Sequence, residues 1–299
     1  MAVGRFAPSP SGPLHLGNLR TALLAWWAAR GDGSPFLLRV EDLDPSSRPE
    51  HEAGQLADLR ALGLDGDGPP VRQSERRDLY EDALARLVAA GLTYPCYCTR
   101  REIREAVRAP HAPSDAYPGT CRHLTAAERR AREADGRPPA LRLRSTGEEV
   151  AATDARHGPV HGVVDDVVLR RNDGLPAYNL AVVVDDAAQG VEEVVRGDDL
   201  LPSTPRQAHL ARVLGLPVPA YLHVPLVVGP DGARLAKRHG AVTLADATAA
   251  GVPPALVRAR LAGSLGLPDP GPVPSPLDRT TLPTTPTVWD GSWLRPDPA

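Results

Sequence analysis

Between residues 5 and 18 the chain runs Arg5-Phe-Ala-Pro-Ser-Pro-Ser-Gly-Pro-Leu-His15-Leu-Gly17-Asn18, an apolar strand entry that passes through a Pro/Ser/Gly turn into a helix expected from Leu19 to Arg30. A glycine-bearing turn feeding a helix N-terminus offers unpaired backbone N–H groups and the positive end of the helix dipole, which together suit a phosphate. His15 and Asn18 add side-chain donors. Three residues apart at the start of a helix, they can face one ligand and stabilise charge developing on a phosphate in transfer, so adenylation is the reaction to consider first. An ordinary capped turn accounts equally well for His-Leu-Gly-Asn alone, because short motifs recur by chance; the stretch from Arg5 to Gly12 raises it above that level.

Other polar clusters have chemistry to offer. Arg234-Leu-Ala236-Lys237-Arg238-His239-Gly240, placed just after the turn Pro230-Asp-Gly232, is a cationic loop, which an ordinary basic surface loop also explains. Glu41-Asp-Leu-Asp44 follows the strand-length apolar run Phe36–Val40, at the strand end where open α/β sheets bind ligands. Tyr178, Arg196, Asp198 and Gln207 form an ordered polar set among valine-rich runs that a buried scaffold alone does not explain. Taken singly, each charged residue fits a surface ion pair as well as a binding site, and only the combination carries weight.

All three cysteines of the chain fall within one short stretch. Cys96-Tyr-Cys98 is followed by Tyr117, Cys121 and His123, a spacing that can close a tetrahedral zinc site from two short segments. From bond chemistry His123 is the ordinary fourth ligand, since imidazole binds zinc far more often than phenol does. Three structural thiols without a metal are the plainer alternative.

The elements that must position these residues read as alternating strands and helices. With 299 residues and 42% hydrophobic content the chain can bury a sizeable core. A net charge of −3 gives no global basic field for a nucleic acid, although local patches can serve one. No charged segment leading into an apolar core opens the chain and no run approaches a membrane span, so a cytoplasmic protein with no membrane partner is expected. Helices are expected over residues 48–62 and 74–90, and over 125–135, where the charged face is solvated or touches RNA. A further helix is expected over 253–265. Strands are expected over 163–170 and over the apolar run Leu180–Val184, with Leu141–Arg144 alternating like an edge strand. The 33 prolines and 27 glycines form no repeat, and the Pro-rich tail after Leu267 is expected to be loosely ordered.

The first turn resembles the signature of class I aminoacyl-tRNA synthetases, His-Leu-Gly-Asn being a variant of His-Ile-Gly-His, and Arg5–Gly12 narrows the likeness to the glutamyl/glutaminyl branch. Arg171-Asn-Asp173-Gly through Asp186, and Glu193 through Gln207, resemble the same branch. The loop around Lys237 resembles its Lys-Met-Ser-Lys-Ser element, with Arg234 in place of the first lysine and Ala236 in place of the serine. Cys-x-Cys, Tyr, Cys resembles the glutamyl-Q tRNA(Asp) synthetase family, short paralogues of glutamyl-tRNA synthetase, and puts Tyr117 ahead of His123 as fourth zinc ligand with Cys96, Cys98 and Cys121.

The resemblance covers Arg5 to about Leu267. It implies an α/β fold: a class I synthetase Rossmann-like catalytic domain in two halves, residues 1–92 and 151–240. Between the halves lies a zinc-binding insertion, residues 93–150, and a short helical region with the Pro-rich tail, residues 241–299, follows, with no anticodon-binding domain. It implies a glutamate site of Arg5, Phe6, Ala7, Pro8, Ser9, Glu41, Tyr178 and Arg196, the arginines gripping the side-chain carboxylate and Glu41 with Tyr178 taking the α-ammonium. ATP falls to His15, Gly17, Asn18 and Lys237, of which His15, Asn18 and Lys237 are the catalytic set. One zinc per chain and Mg²⁺ with ATP are the implied metals. The implied activity is ATP-dependent activation of L-glutamate and its transfer, through glutamyl-adenylate, to queuosine at the first anticodon position of tRNA(Asp), by a monomer. A truncated glutamyl-tRNA synthetase charging a tRNA 3′ end and a non-catalytic RNA-binding paralogue are the competing readings.

Overall fold

The computed structural model describes residues 3–99, 101–103, 117–240 and 242–291, with Lys237 described in its backbone only. Residues 104–116 of the expected insertion, residues 292–299 of the expected tail and the side chain of Lys237 lie outside the described residues.

Strand β1 (Gly4–Phe6) passes through the Pro/Ser turn into helix α1 (Leu16–Gly31). The helix starts three residues earlier than expected because His15 is its N-cap: His15 Nδ1 accepts from Asn18 N–H while Asn18 Oδ1 accepts from His15 N–H. This reciprocal pair is a capping box in which histidine and asparagine stand in for the usual Ser/Thr and Glu. Residues from Leu16 to Ala29 bury nearly every face of α1, so the helix runs through the core and only its ends meet solvent. Gly4 permits that packing, since a Cβ there would lie 2.7 Å from Ala29 Cβ.

The remaining first half follows a βαβ plan. Strand β2 (Phe36–Val40) lies parallel to β1, helix α2 (Pro49–Ala61) follows, and β3 (Val71–Arg72) pairs parallel with β2. Proline at the first position of α2 fits because its missing N–H would have had no helical partner. A 3₁₀ turn, Gln73–Arg76, then opens helix α3 (Arg77–Ala89).

Strand β4 (Thr93–Cys96), helix α4 (Ala126–Ala134) and strand β5 (Ala140–Leu143) come next, followed by the hairpin β6 (Glu149–Asp154) and β7 (Gly158–Val163), and by β8 (Val168–Arg170). Strands β4, β5 and β8 make a separate antiparallel sheet with β5 in the middle, so the expected edge position of Leu141–Arg144 is not observed. Its alternation reflects two differently packed faces, which an interior antiparallel strand can also have.

The second half contains helix α5 (Tyr178–Ala188), strand β9 (Glu193–Gly197), helix α6 (Thr204–Leu214), strands β10 (Ala220–Val224) and β11 (Val227–Val228), helices α7 (Leu244–Ala249) and α8 (Pro254–Gly263), and strand β12 (Thr287–Val288). Leu180–Val184 is helical, not the expected strand. A short apolar run carries no period with which to tell a buried strand from a buried helix, and here every residue from Leu180 to Asp186 is buried.

A parallel bridge between Val3 and Val191, with Glu192 N–H donating to Val3 O at 3.2 Å, joins the two main sheets. The continuous order is β3-β2-β1-β9-β10-β6-β7, parallel except for β7. The chain winds outward in opposite directions on either side of β1 and β9, a reversal that opens a crevice at the strands' C-terminal ends. Over its described residues the tail is held by the fold: β12 pairs with β11, and Leu277, Leu282 and Trp289 enter the main core. No helix among the described residues is long and apolar enough to cross a membrane.

Candidate active site

A cavity of about 580 Å³ occupies that crevice. Arg5, Phe6, Ala7, Pro8 and Ser9 enter it from the end of β1 and the turn beyond, His15, Gly17 and Asn18 from the start of α1, Glu41 from the end of β2, Tyr178 from the start of α5 and Arg196 from β9. Every residue expected for glutamate and, among the described side chains, every residue expected for ATP lines it. Asp199 and Arg234 line it too, joined at 2.6 Å from Arg234 Nη1 to Asp199 Oδ2.

At the α1 end the capping box decides which atoms remain free. With Nδ1 accepting from Asn18 N–H, a neutral His15 carries its proton on Nε2, where it can donate. Burial first, and then the charge of Arg234, hold the His15 imidazole down at about 4, so it is neutral at physiological pH. Asn18 Oδ1 is occupied by His15 N–H, which leaves the Asn18 amide NH₂ as the available group. Two neutral donors thus stand at the positive end of a buried helix. A Cβ on Gly17 would lie 3.0 Å from His15 Nδ1 and Cε1, so glycine makes room for the folded-back imidazole. Gln55 Nε2 donates to Ser9 O and Gly12 O at 3.0 and 2.7 Å, pinning the turn from α2.

The opposite wall is charged. Arg5 spends Nη1 on Val195 O at 3.0 Å and points Nε at Asp186 Oδ1, 3.4 Å away, while Nη2 has no hydrogen bond among the described residues. Glu41 is nearly buried. Burial pushes its carboxyl above the usual range, Arg39 and Arg5 pull it down, and Asp186 and Asp185 push it up again. Beneath both sits Arg39, fully buried, with Nη1 donating to Asp186 Oδ1 at 2.8 Å and to Gln189 Oε1 at 2.7 Å, and Nη2 lying 3.5 Å from Glu41 Oε1. Asp185, one residue along, accepts from Gln73, Arg76 and Tyr80. The two aspartates expected at a strand terminus therefore sit in a buried helix and anchor arginines.

Other expectations divide. Of the acidic run after β2 only Glu41 lines the cavity; Asp42 accepts from Ser74 N–H and Oγ, and Asp44 from Ser46. Asp198 turns away from the cavity to a bidentate contact with Arg156 Nη2 at 2.9 and 2.8 Å. Gln207 bonds Arg196 and Asn179. Sequence reading missed Arg39, Gln55 and His223; an arginine inside the apolar strand Phe36–Val40 was the available signal for the first.

About the three thiols the geometry is compact. The sulfur atoms of Cys96, Cys98 and Cys121 lie within 4.8 Å of one another. Tyr117 Oη is 3.3 Å from Cys96 Sγ and 3.6 Å from Cys98 Sγ, and Cys98 Sγ is 3.5 Å from Cys121 Sγ. Zinc–sulfur bonds of about 2.3 Å in a tetrahedron require edges of roughly 3.8 Å, close to these separations, so the donor set fits that ion. His123 is exposed and outside the cluster. Arg142 lies with its guanidinium carbon 3.6 Å from the Tyr117 ring centroid.

Residues 1–268 match the family of class I tRNA synthetases (E and Q), catalytic domain. The chain belongs to that family. Among its relatives, a glutamyl-Q tRNA(Asp) synthetase of Nocardia farcinica is 64% identical across 98% of this chain and 95% of its own length. One from Symbiobacterium thermophilum is 57% identical across 90% and 88%. A glutamate–tRNA synthetase structure from Elizabethkingia anophelis superposes with a TM-score of 0.82 at 26% identity, over 98% of this chain and 69% of that one. A glutamate tRNA ligase from Elizabethkingia meningosepticum, solved with its amino acid, matches with a TM-score of 0.68 at 31% identity, over 80% of this chain, and the match spans about half of that longer chain, 52%. As a class I (E and Q) synthetase, the chain has its charged wall and its helix N-terminus facing one crevice, the arrangement an amino acid and a nucleotide require if they are to meet.

Proposed function

We propose that this synthetase activates L-glutamate with ATP and transfers it to queuosine at the first anticodon position of tRNA(Asp). One observation carries the first half: Arg5, Glu41, Tyr178 and Arg196 line the same cavity as His15 and Asn18. Arg5 and Arg196 would hold the side-chain carboxylate, Glu41 and the Tyr178 hydroxyl the α-ammonium. The α-carboxylate then attacks the α-phosphorus of ATP, a new C–O–P link forms, and pyrophosphate leaves. His15 Nε2–H and the Asn18 amide stabilise charge on the phosphates, and Lys237 adds a cation. Mg²⁺ bound with ATP would neutralise part of the phosphate charge. No side chain serves as nucleophile; the work is positioning and electrostatics.

Support for the queuosine acceptor comes from the names of the relatives and from the Cys-x-Cys, Tyr, Cys pattern. In the second step a hydroxyl of the modified base attacks the mixed anhydride and AMP departs. Cys96, Cys98, Cys121 and Tyr117 hold one structural zinc, and the enzyme works as a cytoplasmic monomer.

Labelled glutamate offered to tRNA(Asp) tests the whole. Queuosine-containing tRNA(Asp) with its 3′ CCA trimmed away is expected to accept glutamate, and intact tRNA(Asp) with guanine at that position is not. The reverse pair of outcomes makes this a conventional 3′-charging enzyme.

A further inference from the structure

Arg196 has almost no freedom left to place itself on a substrate. Its Nε–H donates to His223 Nε2 at 3.0 Å, Nη1 to Gln207 Oε1 at 2.5 Å, and Nη2 to Thr204 Oγ1 at 2.8 Å and Leu200 O at 3.3 Å. Four of the five guanidinium N–H groups are thus engaged by protein, and one on Nη1 remains. The direction of that last N–H follows from the plane of the guanidinium, which the partners of Nε, Nη1 and Nη2 hold together; the partner of Nε is the one whose protonation state decides whether it can accept.

The grip on Nε is a buried histidine with an unusual assignment. Guanidinium nitrogens only donate, so His223 Nε2 must be the unprotonated, accepting nitrogen and the proton must sit on Nδ1. Nδ1 faces Asp154 Oδ2 at 2.7 Å, and the His223 backbone N–H reaches the same oxygen at 2.9 Å. Asp154 is fixed in turn by the backbone N–H groups of Arg156 and His157 on Oδ1. His223 is fully buried and stacks on Tyr221, whose ring also lies 4.9 Å from the Arg196 guanidinium carbon.

We infer that Asp154 and His223 form a positioning pair: Asp154 fixes the Nδ1–H tautomer of His223, and the resulting lone pair on Nε2 sets the guanidinium of Arg196 for the glutamate carboxylate. His223 touches no substrate and acts through Arg196. The inference rests on the glutamate reading of the cavity, and it adds to that site a residue from β10 that lies outside the lining wall.

Two amide substitutions separate positioning from mere filling. In His223→Gln the longer side chain can return an acceptor to the Nε2 position; in His223→Asn the amide can satisfy Asp154 but falls short of Arg196. Glutamate-dependent ATP–pyrophosphate exchange is expected to show a KM for glutamate near that of the unchanged protein in His223→Gln and raised about tenfold or more in His223→Asn, with KM for ATP unchanged in both. Equal glutamate KM in the two variants, with only the amount of folded enzyme altered, overturns the inference. A measurement on the unchanged protein needs no variant to fold: ¹⁵N spectra of histidine-labelled protein should show His223 protonated at Nδ1 and bare at Nε2 at neutral pH. A proton on Nε2 refutes the pair. Absence of glutamate-dependent exchange in the unchanged protein refutes the glutamate reading instead, and the ¹⁵N spectra still decide the geometry.

Discussion

Arg39 and Asp186 meet at 2.8 Å in the interior, and through them the two charges assigned to glutamate binding are tied together. Asp186 lies beside Arg5 as well, while Arg39 reaches Glu41, so a chain of alternating charge runs Arg5, Asp186, Arg39, Glu41. Burial alone would pull the Arg39 guanidinium down, but Asp186, Glu41 and Asp185 more than offset it and push it above its usual range. Removing the cation leaves carboxylates stranded in low dielectric. Arg39→Met is therefore expected to destabilise the fold by about 3–5 kcal/mol, read by urea unfolding. A loss below about 1 kcal/mol would show that water or a rearrangement already compensates these carboxylates.

Glu41 illustrates a site that costs stability. Its carboxyl titrates above the ordinary 4.5, with burial the largest cause. A carboxyl whose folded pKa is raised binds its proton more tightly in the folded state, so its contribution is fully present below the unfolded pKa and is lost as pH rises through the folded one. At neutral pH Glu41 is thus a net burden on folding. Glu41→Gln is expected to raise the unfolding midpoint at pH 7 while weakening glutamate binding, and the gain should vanish near pH 4. Thermal melts at the two pH values check it; a lower midpoint at pH 7 contradicts the sign.

These two residues mark where the sequence could be read and where it could not. The place of Glu41 in the cavity was accessible because it directly follows the strand-length run Phe36–Val40. Arg39, two positions earlier, looked like one charge in a strand, since nothing local shows that Asp186 will arrive from a helix 147 residues on. Leu180–Val184 reads as a strand for a related reason: five apolar residues have no readable period, and a run buried on every face fits a strand and a helix equally. Helices α2, α4 and α8 were legible to within about two residues because capping residues and proline mark their ends. Over residues 268–291 the tail is held by long-range partners that a local reading cannot see: Thr287 N–H donates to Leu226 O and Trp289 N–H to Val228 O.

The thiol cluster makes a metal prediction. Elemental analysis of protein purified without chelator is expected to give one zinc per chain, and no metal in such protein rejects the site. Because zinc binding to preformed ligands adds to folding stability, chelation should lower the unfolding temperature. Tyr117→Phe is expected to weaken zinc retention, whereas His123→Ala, at an exposed position outside the cluster, is expected to leave it unchanged.

The last prediction concerns where positive charge at the phosphates comes from. His15 is held at about 4, so between pH 6 and 8 it stays neutral and offers a hydrogen bond without a charge. Its lowered pKa also means that the unfolded chain takes up a proton first as pH falls from 6.5 toward 4, so the stability associated with His15 is full above that window and lost through it. The exchange rate should therefore show no step from His15 above pH 6. On the proposed mechanism the full charge is supplied by Lys237, and Arg234, which lines the cavity and pairs with Asp199 at 2.6 Å, adds to it. A group that acts on charge developing in the transition state lowers kcat when removed and spares ground-state binding. Lys237→Ala is expected to cut glutamate-dependent exchange by about 10²-fold or more with glutamate affinity nearly unchanged. His15→Ala should cost a similar factor at every pH from 6 to 8, since a neutral donor is what is lost. A His15→Ala defect that disappears as pH rises to 8 would mean that the imidazolium, and not the neutral ring, does the work.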